Sequence, residues 1–277
     1  MRLTAINAGH FKLDGGAMFG VVPRNLWQKT NPPDERNLCT WAMRCLLVEE
    51  RERRLLIDTG MGTKQDAKFF NHYEPSGASL VENLRAQGCE PEQITDVFLT
   101  HLHFDHGGGA LVRDGDGEIR RTFPNAVYWS NRRHWDAALQ PNEREKASFL
   151  KENIAPLEKA QLRFVEEDGD PVLPGMELRW VNGHTEAMML PKLSWNGRTI
   201  LFCADLFPSA AHIPLPWIMA YDVRPLVTLE EKGKILQEAV AGDWVLFFEH
   251  DPKIECCSVQ QTERGIRVRE TLALVDL

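Results

Sequence analysis

Apolar and polar positions along the chain follow two spacings, one typical of strands and one typical of helices. Residues 40–60 contain two apolar runs around a charged cluster, which predicts a hairpin. Residues 78–88 place apolar side chains at helical spacing and end in a glycine, which predicts a helix. The same reasoning predicts helices over residues 146–161 and 228–242, and strands directly before residue 101 and over residues 126–130, 162–167, 176–183, 188–197, 199–205 and 243–251.

The helix predicted over residues 228–242 has its own start and stop signals. Thr228 and Glu231 have the spacing of a capping box, and Gly242 closes the apolar pattern. We therefore expect this helix to begin at Thr228.

Strands and helices alternate loosely, with one strand-rich portion early in the chain and another after residue 160. This order predicts an α/β protein with two sheets covered by helices, in one layered domain over residues 1–277. Residues 10–40 are rich in aromatic residues, proline and glycine and show no clear period. Because long irregular segments in compact domains are commonly functional, we expect a lid over a site or a dimer contact here.

Composition and charge exclude several classes of protein. The chain has 32 Lys and Arg against 40 Asp and Glu, a formal net charge of −8, which disfavours a nucleic-acid partner. No apolar run reaches the roughly 18 residues of a membrane span, so we expect a cytoplasmic protein without a membrane partner. The six cysteines form no C-x-x-C pair and are expected to be reduced thiols. The partner that fits best is a small-molecule substrate.

The segment HLHFDHGGG concentrates polar chemistry at the end of a predicted strand. His101, His103, Asp105 and His106 lie within six consecutive positions, and an apolar core has no reason to bury so many polar groups. Histidines two apart on an extended backbone face the same side and can hold one metal ion, while Asp105 and His106, from the turn that follows, can hold a second. The glycines at 107–109 let the backbone curl closely around these side chains.

Further metal ligands are expected downstream, because one segment cannot complete two metal sites. Three side chains follow predicted strands: His184 in WVNGHTE, Asp205 in TILFCADLF and His250 in WVLFFEHD. Each is of a type that binds zinc.

These motifs, in this order, resemble the metallo-β-lactamase superfamily over roughly residues 40–252: H-x-H-x-D-H, then G-H-T, then a strand-end aspartate and a strand-end histidine. The resemblance implies a four-layer αββα sandwich with two mixed β-sheets flanked by helices. It also implies that Asp58, in the LIDTG turn, orients ligands from behind. The implied ligand sets are His101, His103 and His184 for one ion and Asp105, His106 and His250 for the other, with Asp205 as the bridge.

The expected cofactor is two Zn²⁺ per chain, because imidazole-rich sites with carboxylates suit zinc, although iron or manganese can take its place. Superfamily members with redox-active di-iron carry a glutamate at the position of His103. The expected reaction is hydrolysis of an ester, lactone or phosphotriester-like substrate by a metal-bridging hydroxide. Asp105 would then carry a proton to the leaving group.

The substrate branch is less well defined by the sequence. HLHFDHGGG looks like the lactonase branch, but G-H-T continues into residues 186–189 without the usual proline, glycine and histidine, and Asp205 is followed by residues 206–208 without the usual tyrosine. A side chain that stabilises the oxyanion would therefore have to be Tyr221 or be absent.

Aromatic side chains predict either an apolar cleft over the metals or ordinary core and dimer packing. Phe19, Trp27 and Trp41 lie in the early part of the chain, and residues 207–225 are expected to form one wall of the pocket. His212, in that wall, is expected to lie at the surface or behind the ligands, and Cys203 is expected to be packed. Residues His10, His72 and His134 match no motif. A homodimer is expected from the apolar N-terminal segment.

Two other functions stay open. A glyoxalase-II-like thioesterase shares the metal motifs, but the residues after Pro252 do not resemble that group's basic helical region. A non-catalytic metal-binding scaffold is the alternative from a different class. The full set of seven candidate ligands argues against it, because loss of catalysis leaves ligands free to change.

Overall fold

The computed structural model describes residues 1–159, 161–167, 169 and 171–277. Fourteen strands lie within the described residues: β1 (Arg2–Asp14), β2 (Leu38–Glu50), β3 (Arg53–Ile57), β4 (Asp96–Phe98), β5 (Leu111–Arg113), β6 (Ile119–Arg121), β7 (Val127–Ser130), β8 (Leu162–Phe164), β9 (Met176–Val181), β10 (Met188–Trp195), β11 (Arg198–Phe202), β12 (Val245–Phe247), β13 (Cys256–Thr262) and β14 (Gly265–Leu272).

The α-helices in the same part of the chain are α1 (Gly15–Phe19), α2 (Arg24–Trp27), α3 (Ala67–Tyr73), α4 (Leu80–Ala86), α5 (Phe104–Gly107), α6 (Arg132–Leu139), α7 (Lys151–Ile154) and α8 (Pro225–Ala241). Short 3₁₀ segments cover Pro91–Gln93, Gly108–Ala110, Ala155–Lys159, Ala204–Leu206, Ala210–His212 and Leu274–Asp276. Within the described residues, no helix combines the length and the apolarity that crossing a membrane requires.

The chain divides into two compact units. The first comprises residues 1–10 and 43–173, and the second comprises residues 11–42 and 174–277. One six-stranded sheet has the order β1-β2-β3-β4-β7-β8, and its strands lie in the first unit except for residues 11–14 of β1 and 38–42 of β2. A second six-stranded sheet, with the order β14-β13-β12-β11-β10-β9, lies in the second unit. The prediction of one domain over residues 1–277 stays a prediction.

The first sheet is mixed. Strands β2 and β3 pair antiparallel as the predicted hairpin, while β3, β4, β7 and β8 run parallel. Helix α4 begins at Ser79, whose capping box with Glu82 is complete, and packs Leu80 and Leu84 against the buried core. The carboxyl ends of β3, β4 and β7 lie next to one another, which is where α/β sheets collect functional side chains.

The second sheet is also mixed. Strands β11 and β12 run parallel at its centre, and antiparallel pairs flank them on both sides. The rings of Phe202 and Phe247 stack at 5.5 Å on these central strands, and α8 contacts β13 and β14. The two parallel strands therefore end side by side, just before residues 205 and 250.

Several predicted elements were wrong in extent. Residues 10–40 are not irregular throughout, because they contain the end of β1, the helices α1 and α2 and the start of β2. The helix predicted over residues 146–161 includes residue 160, which lies outside the described residues, and the described part holds only α7 and a 3₁₀ segment. Pro156, which has no N–H to donate, stands at the second residue of that segment.

The start of α8 also differs from the prediction. The helix begins at Pro225, three residues before Thr228, with proline in its first turn. Glu231 does not complete a capping box, because its carboxylate accepts the backbone N–H groups of Asn182 and Gly183 at 2.7 and 3.0 Å. The helix thus uses this side chain to hold the loop that follows β9.

Candidate metal centre

In the first unit, Asp58 organises the segment that carries the histidines. It follows β3 with a φ of 57° and is fully buried. Its carboxylate accepts the backbone N–H of Thr100 at 2.8 Å and the hydroxyl of Thr100 at 2.6 Å. It also accepts a hydrogen bond from Nδ1–H of His106 at 3.1 Å, because an ionised carboxylate can only accept hydrogen bonds. This leaves Nε2 of His106 as the nitrogen that can bind a metal.

Thr100 links Asp58 to the ring of His101 by hydrogen bonds and so fixes that ring as well. Its hydroxyl donates to Asp58 and lies 3.1 Å from Nδ1 of His101, so it accepts from that nitrogen. Nε2 of His101 is then the candidate ligand atom. The ring of His101 lies 4.6 Å from that of His103 and 3.9 Å from that of His106, so one short segment brings three imidazoles together.

Helix α5 carries the last two candidate ligands of this segment. It is one turn long, and Asp105 and His106 are both buried within it. Oδ2 of Asp105 lies 4.0 Å from Nε2 of His106. Thr59 fixes the backbone of α5, since its N–H and its hydroxyl both donate to the carbonyl of His106 at 2.7 Å.

The glycines after α5 are required for close approach and not for unusual backbone angles. Gly108 and Gly109 adopt no positive φ, but an added Cβ at Gly108 would overlap the carbonyl of Met61, and one at Gly109 would overlap the carbonyl of Thr59. Gly107 has no such neighbour, since its added Cβ would meet Leu102 at 3.7 Å. Two of the three glycines thus let the ligand segment lie directly against residues 59–61.

Two further side chains, which no local sequence pattern marks, support residues 101–106. Glu145 is buried, and its Oε2 lies 3.7 Å from Nε2 of His103 while Asn142 donates to its Oε1 at 2.7 Å. His134, which matched no motif, is fully buried and its Nε2 accepts the N–H of Leu102 at 2.8 Å. His134 is 32 residues from Leu102, and Glu145 is farther still along the chain, so no local spacing marks them.

In the second unit, Asp205 lies between two histidines. Its Oδ2 is 3.1 Å from Nε2 of His184, and its Oδ1 is 3.0 Å from Nε2 of His250. Nδ1 of His184 donates to Asp222 at 2.8 Å, and Nδ1 of His250 donates to the carbonyl of Ala42 at 2.8 Å. Each ring is therefore fixed from behind and turns its other nitrogen toward the same carboxylate.

The electrostatics of this trio favour a positive charge. Burial opposes a charge on the ring of His184, but the carboxylates of Asp205 and Asp222 outweigh burial and raise the pKa of His184 to about 10. A divalent ion held by these side chains would supply positive charge in place of the proton. Buried imidazole nitrogens around a carboxylate are also the donor set that zinc prefers.

The remaining candidates lie in the second unit, outside this trio. Tyr221 is 38% exposed and directly precedes Asp222. His212 is buried and so does not lie at the surface, and both ring nitrogens are engaged, with Met18 at 2.9 Å and Ser209 at 2.8 Å. Cys203 is packed as expected, and all six cysteines are free thiols.

The aromatic side chains expected over the metals are packed core residues. Phe19, Trp27 and Trp41 are 0 to 2% exposed. Phe19 stacks on Trp27 at 5.3 Å and on His212 at 4.7 Å, with interplanar angles of 13° and 4°. The packing alternative for these residues is thus the correct one.

Comparison with known proteins agrees with this geometry. The model of the metallo-beta-lactamase superfamily matches residues 44–250. The N-acyl homoserine lactonase AiiA of Bacillus thuringiensis subsp. kurstaki is 30% identical over 195 residues, and the match covers 66% of this chain and 66% of that protein. The chain therefore spans just under two thirds of the length of the curated relatives it matches.

Solved structures extend the similarity to nearly the whole chain. A probable metal-dependent hydrolase from Staphylococcus aureus is 28% identical, with a TM-score of 0.87 over 98% of both chains. AidC, a dizinc quorum-quenching lactonase in complex with a product, shares the fold at 20% identity, with a TM-score of 0.79 over 98% of this chain and 95% of AidC.

The chain belongs to the metallo-β-lactamase superfamily. The two mixed sheets flanked by helices confirm the fold class predicted from the sequence, and the match confirms the assignment to this superfamily of metal-dependent hydrolases.

Proposed function

We propose that the protein is a dinuclear zinc-dependent hydrolase that opens lactones and related esters. The observation that carries this proposal is the position of Asp205, whose two oxygens each face Nε2 of a histidine that is fixed from behind. A carboxylate with one oxygen toward each of two ring nitrogens could offer one oxygen to each of two ions. The curated relatives, which are N-acyl homoserine lactonases, favour a lactone as the substrate.

The proposed ligands follow the superfamily motifs that this chain carries. Bound together, the two zinc ions supply a water of lowered pKa and a Lewis acid for the carbonyl oxygen. Asp58, Thr100 and Asp222 hold the rings of the histidines in place, so that the opposite ring nitrogens would be oriented to hold the ions. The proposed set is His101, His103 and His184 for one ion, Asp105, His106 and His250 for the other, and Asp205 between them.

Two residues have proposed roles in the reaction itself. Asp105 lies on α5 with its carboxylate 4.0 Å from Nε2 of His106, and we assign to it the transfer of a proton to the leaving alkoxide. Tyr221 has an exposed edge beside Asp222, and we assign to its hydroxyl the stabilisation of the oxyanion. Replacement of Tyr221 by Phe should then lower kcat by about 10-fold or more with little change in zinc content.

A substrate panel tests this function. The zinc-loaded protein is offered N-hexanoyl-L-homoserine lactone, an aryl ester, a phosphotriester and S-lactoylglutathione, and the released acid or leaving group is quantified. We expect lactone opening that a chelator abolishes and zinc restores, and at least about 100-fold slower opening by the Asp205→Asn variant. Preferred turnover of the thioester would support the thioesterase alternative, and two bound zinc ions without any turnover would support the scaffold alternative.

We also propose a homodimer with residues 10–40 in the contact. The second unit exposes apolar side chains from this segment and from two later ones, namely Val21, Leu26, Leu215 and Leu226 at 39 to 91% exposure. Light scattering should give twice the chain mass of 31.6 kDa, and a monomer would refute the contact. The six free thiols accord with a reducing compartment, and we propose a cytoplasmic location.

A further inference from the structure

A cleft of about 910 Å³ lies in the first unit. Its volume falls within the range of about 300 to 1,000 Å³ that small-molecule sites have. The side chains that matter for its chemistry are two aromatic rings on α3 and three cations, namely Phe69, Tyr73, Lys64, Lys68 and Arg113.

The cleft borders α5 on two sides. The rings of Phe69 and Tyr73 pack on the ring of Phe104 at 5.2 and 4.6 Å, and Phe104 directly precedes Asp105. On the other side, the ammonium of Lys64 donates to the carbonyl of Gly108, directly after the helix. Side chains that line the cleft therefore contact the residue next to Asp105, which places the cleft near the segment that carries this carboxylate.

Cations outnumber carboxylates along the cleft. Two carboxylates line the cleft. Asp66 caps the N-terminus of α3, where it accepts a hydrogen bond from a backbone N–H at 2.8 Å. Glu152 lies 3.8 Å from the guanidinium of Arg113. Lys68 is exposed on α3 and forms no ion pair with any residue that the structure describes. One positive charge is thus left for an anionic ligand.

Lys64 adds a second, buried positive group. Only 4% of this residue is exposed, and burial lowers the pKa of its ammonium to about 8, so the charged form still predominates at neutral pH. The ammonium has three N–H groups, and the carbonyl of Gly108 takes one of them. The cleft therefore combines an aromatic wall with donors for an anion.

We propose that this cleft binds a carboxylate at the far end of the substrate, so that the protein prefers lactones whose non-reacting arm ends in an acid. Phe69 and Tyr73 cover the alkyl part of the arm, and Lys68 pairs with the carboxylate. This inference rests on the proposed lactone hydrolysis and names its substrate class more closely.

The test compares two N-acyl homoserine lactones of equal chain length, one ending in a carboxylate and one in the neutral primary amide. A partly exposed ion pair contributes about fivefold in affinity, so we expect kcat/KM for the acid to exceed that for the amide by about fivefold. Lys68→Met should bring the ratio to about one, and Lys68→Glu should invert it. Lys234→Glu, at an exposed lysine of α8 in the second unit, is the matched control and should keep the ratio.

A second measurement separates this proposal from the proposed function. Binding of the corresponding lactams, which resist ring opening, is measured by calorimetry with the zinc-loaded protein. If neither lactone is opened but the acidic lactam binds more tightly and Lys68→Glu reverses this order, lactone hydrolysis fails and the carboxylate site stands. Equal kcat/KM for acid and amide, equal affinity for the two lactams, or a ratio that Lys68→Glu leaves unchanged would overturn the carboxylate site.

Discussion

Asp222 and His184 form a buried carboxylate–imidazole pair, with Oδ1 of Asp222 2.8 Å from Nδ1 of His184. Asp58 holds His106 in the same manner in the first unit. In both pairs the carboxylate accepts a hydrogen bond from Nδ1–H, and Nε2 faces another partner. Pairs of this kind fix the orientation and raise the basicity of a metal ligand.

Replacement of Asp222 by Asn should weaken zinc binding by about 10- to 100-fold, because the ring of His184 loses its charged acceptor. Competition with a chromogenic chelator measures this affinity. Asp243→Asn is the matched control, since Asp243 pairs with Arg269 at the surface of the same unit. Equal zinc affinity in both variants would show that Asp222 does not act through His184.

Glu145 should support His103 in a similar way. Glu145→Gln keeps the size of the side chain but removes the charge 3.7 Å from Nε2 of His103, so we expect zinc affinity to fall by about 10-fold. Glu143, two residues earlier, is exposed and pairs with Lys146, and Glu143→Gln should leave zinc affinity unchanged. A drop in zinc affinity of the same size in both variants would contradict a specific role for Glu145.

The glycines after α5 should differ sharply in their tolerance of alanine. Gly108→Ala and Gly109→Ala force a Cβ against the backbone of residues 59–61, and each should lower the free energy of unfolding by about 2 kcal/mol or more. Gly107→Ala meets only an ordinary contact and should cost less than about 1 kcal/mol. Urea unfolding measures all three, and equal losses would mean that close approach is not the reason for the glycines.

His212 should make stability depend on pH. Burial lowers its pKa from 6.5 to about 3. The unfolded chain therefore binds a proton below pH 6.5 that the folded protein does not, so the contribution is complete above that pH and is lost as the pH falls toward 3. The slope is at most about 1.4 kcal/mol per pH unit.

The variant His212→Gln should lack this slope. The difference in unfolding free energy between the unmodified protein and the variant should shrink between pH 6.5 and pH 4, because other groups titrate in both proteins and cancel. A constant difference for His212→Gln across this range would mean that the ring is protonated in the folded state.

Local patterns were sufficient to predict the parts of the fold that local physics determines. The β2–β3 hairpin, helix α4 with the glycine that follows it, and the strands that end before residues 205 and 250 all carry their signals within a few neighbouring residues. The strand β1 was not predicted, because its burial pattern does not alternate. The start of α8 was misplaced because Glu231 bonds to the loop after β9, which is distant in sequence.

The candidate metal ligands could be predicted because four of them lie within six residues and the others follow strands. Their supporting residues could not. Glu145 and His134 reach residues 101–103 only through tertiary packing, and the stack of Phe19 on His212 joins positions almost 200 residues apart in sequence. A single sequence carries no signal for such pairs, so cleft and core aromatic residues could not be distinguished from it.

Elemental analysis of zinc in the purified protein, paired with lactone hydrolysis before and after chelation, decides whether this is a dinuclear metal-dependent hydrolase. We expect about two zinc ions per chain and hydrolysis that disappears with the chelator and returns with zinc. Fewer than about one zinc ion per chain after reconstitution, or hydrolysis that persists in the chelated protein, would contradict a dinuclear metal-dependent hydrolase.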